Sequence, residues 1–259
     1  MAELEGRRAL VCGASKGIGR ATARALAERG AGVAILARDP DRLRIVAEEL
    51  RALGGDVRIL VADLDDRATL VERVTALAAD WGAIHLLVNN TGGPASGPLL
   101  QATDDAILSA FNRHILAAQA LVRALLPGMR DAGYGRIVNV LSTSVREPID
   151  NLGVSNLIRA AHASWSKTLS RELPPGVTIN NVLPGYTDTE RLSELAAAGA
   201  QRSGRTADAV RAEWVGQIPE GRLARPEELG AVIAFLASPA ASYVRGVSLP
   251  VDGGRLRSL

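Results

Sequence analysis

Short, continuously apolar runs recur along this chain, and nearly every neighbouring pair is separated by a longer stretch with apolar residues at helical spacing. Ala9–Val11, Val33–Ala37, Val57–Ala62, Leu86–Asn89, Arg136–Leu141, Thr178–Leu183 and Ser248–Val251 read as strands. Gly17–Arg29, Asp41–Leu53, Arg67–Trp81, Asp104–Leu126, Asn151–Leu173 and Pro226–Ala237 read as helices. Ile18, Ala21, Ala25 and Leu26 share one face of the first helix, and Leu43, Val46, Leu50 and Leu53 point inward from the second. A strand that is apolar on both faces must be covered on both, which indicates a parallel sheet between two helix layers. Right-handed crossovers then give an α/β, doubly wound topology. No internal repeat or linker divides the chain, so residues 1–259 read as one domain. The stretch Glu190–Pro219, with its small and charged residues, is expected to be the least ordered. It leaves the sixth strand at the carboxyl edge of the sheet, where ligands bind in such folds, and reads as a substrate-side lid or loop.

Composition narrows the function classes. Apolar residues make up 47% of the 259, enough for a sizeable core, while aromatics are only 3%. The net charge is +2, and no basic run interleaves with aromatics, which argues against a nucleic-acid partner. There is no basic-apolar leader and no apolar run that could span a bilayer, so no membrane partner and a cytoplasmic location are expected. Cys12, the single cysteine, has no disulfide or metal-site partner, and no metal is expected. Lysine is nearly absent, with only Lys16 and Lys167.

Gly13, Gly17 and Gly19 sit between the first strand and the first helix. That turn must be tight, and its backbone must come close to a diphosphate. The helix amino terminus then offers free N–H groups and partial positive charge to the phosphates. Dinucleotide binding is the expected role. Elsewhere the chain carries Asn89–Asn90–Thr91–Gly92, Ile137–Val138–Asn139–Val140–Leu141–Ser142 and Pro184–Gly185–Tyr186.

Together with Cys12–Gly13–Ala14–Ser15–Lys16–Gly17–Ile18–Gly19, these motifs resemble the short-chain dehydrogenase/reductase family, most closely its β-ketoacyl-carrier-protein-reductase-like branch. The resemblance implies a Rossmann-like fold and a cofactor held by Gly13, Ser15, Lys16, Gly17, Ile18 and Gly19. It adds Asp63 and Leu64 after the third strand, Asn90 and Gly92 after the fourth, and Pro184, Gly185, Thr187 and Thr189 after the sixth. Lys16 and Arg38 resemble the basic pair that grips a 2′-phosphate, and Ala37 supplies no acid to repel one, so NADP(H) is the expected cofactor. Arg38 also fits as one more solvated arginine, Asp63 as a turn or helix-cap residue, and Pro184–Gly185 as ordinary turn residues.

In the family, a tyrosine thirteen residues after the serine moves the proton, and a lysine four further on lowers its pKa. Counted from Ser142, those positions hold Ser155 and Arg159. They lie one helical turn apart on one face. A serine hydroxyl is far less acidic than a phenol and reaches less far, and an arginine stays charged and relays no proton. Ser142 matches the serine that bonds the substrate oxygen, and Asn112 the asparagine that holds a water in the proton relay. Ser142, Asn112, Ser155 and Arg159 are therefore the candidate catalytic set. Other proton sources are Tyr186, which also fits as an aromatic wall, Asp150, which also fits as a cap, and water. His162 lies two turns from Ser155, too far for direct transfer. His85 and His114 read as structural, and Arg146 as either an anion contact or a surface residue.

Two function classes stay open. One is an NADP(H)-dependent oxidoreductase acting on a small C=O, C=N or C=C substrate with an unusual proton source. The other is a regulatory or assembly protein that binds a dinucleotide without hydride chemistry. Retention of Ser142 and Asn112 favours the first, since a pure binder needs neither. Helices Asp104–Leu126 and Asn151–Leu173 correspond to the family's subunit-contact pair. With Leu108, Leu116, Ile158 and Trp165 as apolar surface, a homotetramer is expected.

Overall fold

The structure, a computed structural model, describes residues 3–258. Seven strands form one parallel sheet: β1 (Arg8–Cys12), β2 (Gly32–Ala37), β3 (Val57–Val61), β4 (Leu86–Asn89), β5 (Gly135–Val140), β6 (Val177–Pro184) and β7 (Ser248–Val251). Their order is β3-β2-β1-β4-β5-β6-β7. The order reverses between β1 and β4, so a crevice opens there at the strands' carboxyl ends. The doubly wound, Rossmann-like, single-domain reading holds.

Alternate residues of each strand serve opposite layers. Ala9 and Val11 pack toward α1 (Gly17–Ala27), α2 (Pro40–Arg51) and α9 (Pro226–Ala237). Leu10 and Cys12 pack toward α3 (Arg67–Trp81), α5 (Ala117–Asp131) and α6 (Gly153–Glu172). On α2, Leu43, Val46 and Leu50 are buried as expected, but Leu53 is exposed. The helix stops at Arg51, and Gly54 turns the chain away at φ +82°.

The single helix expected over Asp104–Leu126 is three pieces. α4 (Asp104–Phe111) ends in one π turn, Asn112–Leu116, before α5 begins. The amide of Ala117 reaches back to the carbonyl of Asn112, five residues away. α5 also runs on through Pro127 to Asp131. Pro127 lies on the exposed side, and Met129 continues the buried stripe.

The stretch 190–219, expected to be irregular, is largely helical: α7 (Glu190–Ser203) and α8 (Ala207–Gly216). Thr189 caps α7 by accepting from the Leu192 amide, Gly204 ends it at φ +65°, and Thr206 caps α8 through the Ala209 amide.

A polar chain crosses the sheet interior. Asn89, Asn139, Asn181 and Ser248 stand in register on β4 to β7. Asn89 Nδ2 donates to Asn139 Oδ1 at 2.8 Å, Asn139 Nδ2 to Asn181 Oδ1 at 2.9 Å, and Asn181 Nδ2 to Ser248 Oγ at 3.0 Å. Asn139 also donates to Ser166 on α6. No helix among the described residues is long and apolar enough to cross a membrane.

Candidate active site

The crevice at the strand-order reversal is a cleft of about 650 Å³. All the candidate catalytic and cofactor residues except Gly19 and Asn112 line it, as does Tyr186, whereas Asp150 does not. Gly19 supports the turn from beneath: a Cβ there would lie 2.2 Å from the Gly13 carbonyl oxygen. Gly13, at φ +60°, lies against Asn90, whose side chain donates to the carbonyls of Cys12 and Gly13 at 3.2 and 3.3 Å. Asn90 thus fastens the Gly-rich turn to the end of β4. Lys16 occupies the cap position of α1 without a side-chain cap, so the helix's first amides stay open to a ligand. A cradle that admits no side chain, beside free amides, fits a dinucleotide's diphosphate.

At this end of the cleft the charges are paired. Lys16 Nζ meets Glu190 Oε2 at 2.5 Å, and Arg42 meets the same oxygen at 3.2 Å. Arg38 lies 3.9 Å from Asp63, and Arg42 lies 3.5 Å from Asp39. Asp63 also accepts from the Asp65 amide, so the turn role and the cleft role coexist. Arg42 and Glu190 were missed by sequence reading. Arg42 lies one turn into a helix with no motif, and Glu190 was placed in an irregular segment.

The other end holds the reaction candidates. Ser142 Oγ accepts from the Ser144 amide at 3.1 Å, which leaves its O–H free to donate. Ser155 and Arg159 come up from α6 on one face, both buried. Arg159 donates to the Val140 carbonyl at 2.7 Å, its Nε has no partner, and no carboxylate pairs with it among the described residues. Burial and the nearby Arg191 guanidinium pull its pKa down to about 10, so it remains a cation at neutral pH. Arg191, from the first turn of α7, donates to the Pro94 carbonyl at 2.7 Å and ties that helix to the loop after β4.

Asn112 points elsewhere. Its Nδ2 donates to the Asp65 carbonyl at 3.1 Å, and the neighbouring Arg113 grips the Asp65 carboxylate. Tyr186 stacks on Trp214 of α8 at 5.0 Å. Burial raises its phenol pKa and Arg255 partly offsets this, so it stays protonated, in keeping with a wall. Asp150 caps nothing: α6 starts at Gly153, and its cap residue Leu152 makes no side-chain bond. Thr189 is taken up as the α7 cap, and Gly185 is pressed against Asp252, where a Cβ would lie 2.7 Å from Cα. Both roles are structural as well as cleft-lining. Behind Arg159, a void of about 10 Å³ touches His114 and His162, close to the least space that admits one water. Both rings are buried and neutral, with pKa values pulled down to about 2 and about 3, chiefly by desolvation. His85 is pulled down to about 4 and accepts from the Arg8 amide.

Comparison with known proteins agrees with this geometry. The family described as enoyl-(acyl carrier protein) reductase matches residues 13–255. A 3-oxoacyl-[acyl-carrier-protein] reductase, FabG, of Pseudomonas aeruginosa is 34% identical over 98% of this chain and 99% of its own. The short-chain reductase protein NovJ of Streptomyces niveus is 33% identical over 95% and 93%. Among solved structures, the NADPH-dependent reductase YwfH, involved in bacilysin biosynthesis, superposes with a TM-score of 0.93 at 28% identity, covering 98% and 99%. L-Sorbose reductase from Gluconobacter frateurii, complexed with NADPH and L-sorbose, also gives 0.93, at 30% identity over the whole of both chains. With its motifs, its sheet order and relatives that match from end to end, this chain belongs to the short-chain dehydrogenase/reductase family.

Proposed function

We propose that the protein is an NADP(H)-dependent oxidoreductase that reduces a small C=O, C=N or C=C substrate without a positioned phenol. The observation that carries this reading is Arg159, a buried guanidinium with no anionic partner, in the same cleft as Ser142 and Ser155. A buried, unpaired cation is costly to maintain. It becomes useful when negative charge develops beside it. Solved neighbours described with NADPH or NADP support the cofactor, as does Arg38 at the tip of β2.

Bound NADPH supplies the hydride. Ser142 donates its hydroxyl proton as a hydrogen bond to the substrate atom that gains electron density. Arg159 stabilises the resulting charge electrostatically and keeps its own proton. Ser155, in the position where the family has its tyrosine, leaves space and a hydroxyl, and the proton arrives through water or from the substrate itself. This arrangement suits an enone better than a simple ketone, because the enolate whose charge develops beside Arg159 asks less of a positioned acid than an alkoxide does. NADPH oxidation followed with matched ketones, imines and enones tests the reading. Turnover is expected with enones and should fall at least tenfold in Ser142→Ala. NADPH binding without turnover of any class would leave a dinucleotide-binding protein instead.

A further inference from the structure

We propose that the substrate is an anion, and that Arg255, with Thr143 and Tyr186 beside it, binds its carboxylate one residue along from Ser142. This rests on the reading of the cleft as a reductase site.

The charges in the cleft are sorted. At the Gly-rich end, Lys16, Arg38 and Arg42 are answered by Glu190, Asp63 and Asp39. At the far end Arg159 and Arg255 have no ion-pair partner among the described residues, and Arg191 has only Glu194, at 3.4 Å. An anion arriving there meets, in Arg159 and Arg255, guanidiniums with no carboxylate in contact among the described residues, Glu147 acting on Arg255 only from farther off.

Arg255 is held there by its backbone. Gly253 and Gly254 turn the chain after β7 at φ +65° and +83°. Asp252 fixes that turn by accepting from the amides of Gly254 and Leu256 at 3.1 and 2.9 Å. Glu147 holds the residues beyond, accepting from the amides of Arg257 and Ser258 at 3.1 and 2.9 Å. Asp252 and Glu147 thus spend their hydrogen bonds on backbone amides, and the Arg255 side chain lines the cleft. It lies 4.9 Å from the Tyr186 ring centre and donates to Thr143 Oγ1 at 3.3 Å. Its Nε is buried and has no partner. One guanidinium and two hydroxyl donors match a planar monoanion, which accepts from a guanidinium in bidentate fashion. Thr143 follows Ser142 directly, so a carboxylate bound there sits a few bonds from the atom that takes the hydride. Tyr186, backed by Trp214, provides a wall for the carbon frame between them.

The test uses 3-benzoylpropanoate and its methyl ester, titrated by calorimetry into the protein with and without saturating NADP+. The acid is expected to bind at least tenfold more tightly than the ester. Arg255→Gln should cut that preference below threefold while ester binding and NADP+ affinity stay unchanged, and Arg255→Lys should keep part of it. Where NADPH is consumed, the loss should appear in KM for the acid with kcat within threefold. Equal binding of acid and ester, including no binding of either, overturns the proposal. So does a preference that survives Arg255→Gln, or a variant that loses NADP+ affinity, since Arg255 would then serve the cofactor. Failure of NADPH to bind, or to be consumed with ketones, imines or enones, overturns the reductase reading alone, because the acid–ester difference is still read without it.

Discussion

A guanidinium at position 159 does work that an ammonium would do differently. Its N–H donates to the Val140 carbonyl, and its charge persists although burial draws the pKa down to about 10. A lysine at the same site could lower the pKa of a neighbouring phenol, but Ser155 offers no phenol. The double change Ser155→Tyr with Arg159→Lys is expected to raise ketone reduction at least tenfold over wild type, and Ser155→Tyr alone to do less. Steady-state NADPH oxidation with a simple ketone checks this, and a double mutant that binds NADPH yet gains nothing would mean the pocket serves other chemistry. Arg38 carries a second expectation. Lys16 already has Glu190 as a partner, whereas Arg38 reaches Asp63 only at 3.9 Å, so Arg38 is the freer cation for a 2′-phosphate. Arg38→Ala should weaken NADPH binding by about 1.5–3 kcal/mol and leave NADH binding unchanged. Calorimetry with both cofactors decides it. Most of the site was legible at this scale because glycines and cleft-lining polar residues follow the strands in fixed places. Arg255 was not, since its position depends on a turn closed by Asp252 and Glu147, and neither bond leaves a periodic trace.

Elements were easiest to read where an apolar run had to be buried on both sides. Arg67–Trp81, Leu86–Asn89, Pro226–Ala237 and Ser248–Val251 have the bounds that their patterns indicate. The stretch 190–219 reads as poorly ordered because small residues mask its helical period. Leu192, Ala196 and Gly199 are the buried face of α7, and Thr189 and Thr206 were caps in plain view. The π turn at Asn112 was hidden for another reason: an extra residue in a helix changes one hydrogen bond and leaves the flanking pattern intact. Within the sheet, the Asn89–Asn139–Asn181 chain is a set of buried amides that satisfy one another. Asn139→Leu removes the middle member and strands a partner on each side. A loss of about 2–5 kcal/mol is expected from the unsatisfied groups of Asn89 and Asn181 and the lost bond to Ser166, read as a lower urea midpoint with an unchanged slope. A loss under about 1 kcal/mol would show that the neighbours find other partners.

The whole molecule combines these parts with two further properties. His85, His114 and His162 are buried and neutral, with pKa values below the ordinary histidine value. Each binds a proton in the unfolded chain below about pH 6.5 but not in the folded one. Stability is therefore full above that pH and falls as pH drops toward the folded values, by about 1.4 kcal/mol per pH unit for each ring. Urea unfolding at pH 7 and pH 5 should differ by several kcal/mol, and His162→Gln should flatten the slope; a flat profile in the wild type would contradict this. Assembly is the second property. Ile158 and Trp165, expected on the subunit surface, are instead buried and half-buried, with the Trp165 indole bonded to Gln119. Leu108, Phe111 and Leu157 are the exposed apolar residues of α4 and α6. Light scattering is expected to give a dimer or tetramer mass, and Leu108→Asp with Leu157→Arg a smaller species; a wild-type monomer at micromolar concentration would rule this out. One more consequence comes from the cleft mouth. With lysine reduced to Lys16 and Lys167, the chain has two side-chain amines. One bridges to Glu190 where a cofactor would enter, and the other donates to the Gly246 carbonyl far along α6. Acylation, whether by a reagent or by a metabolic acyl donor, therefore has an unusually small target. At Lys16 it would remove a charge from the doorway and leave Glu190 to Arg42 alone, while Lys167 registers the same exposure as an internal standard.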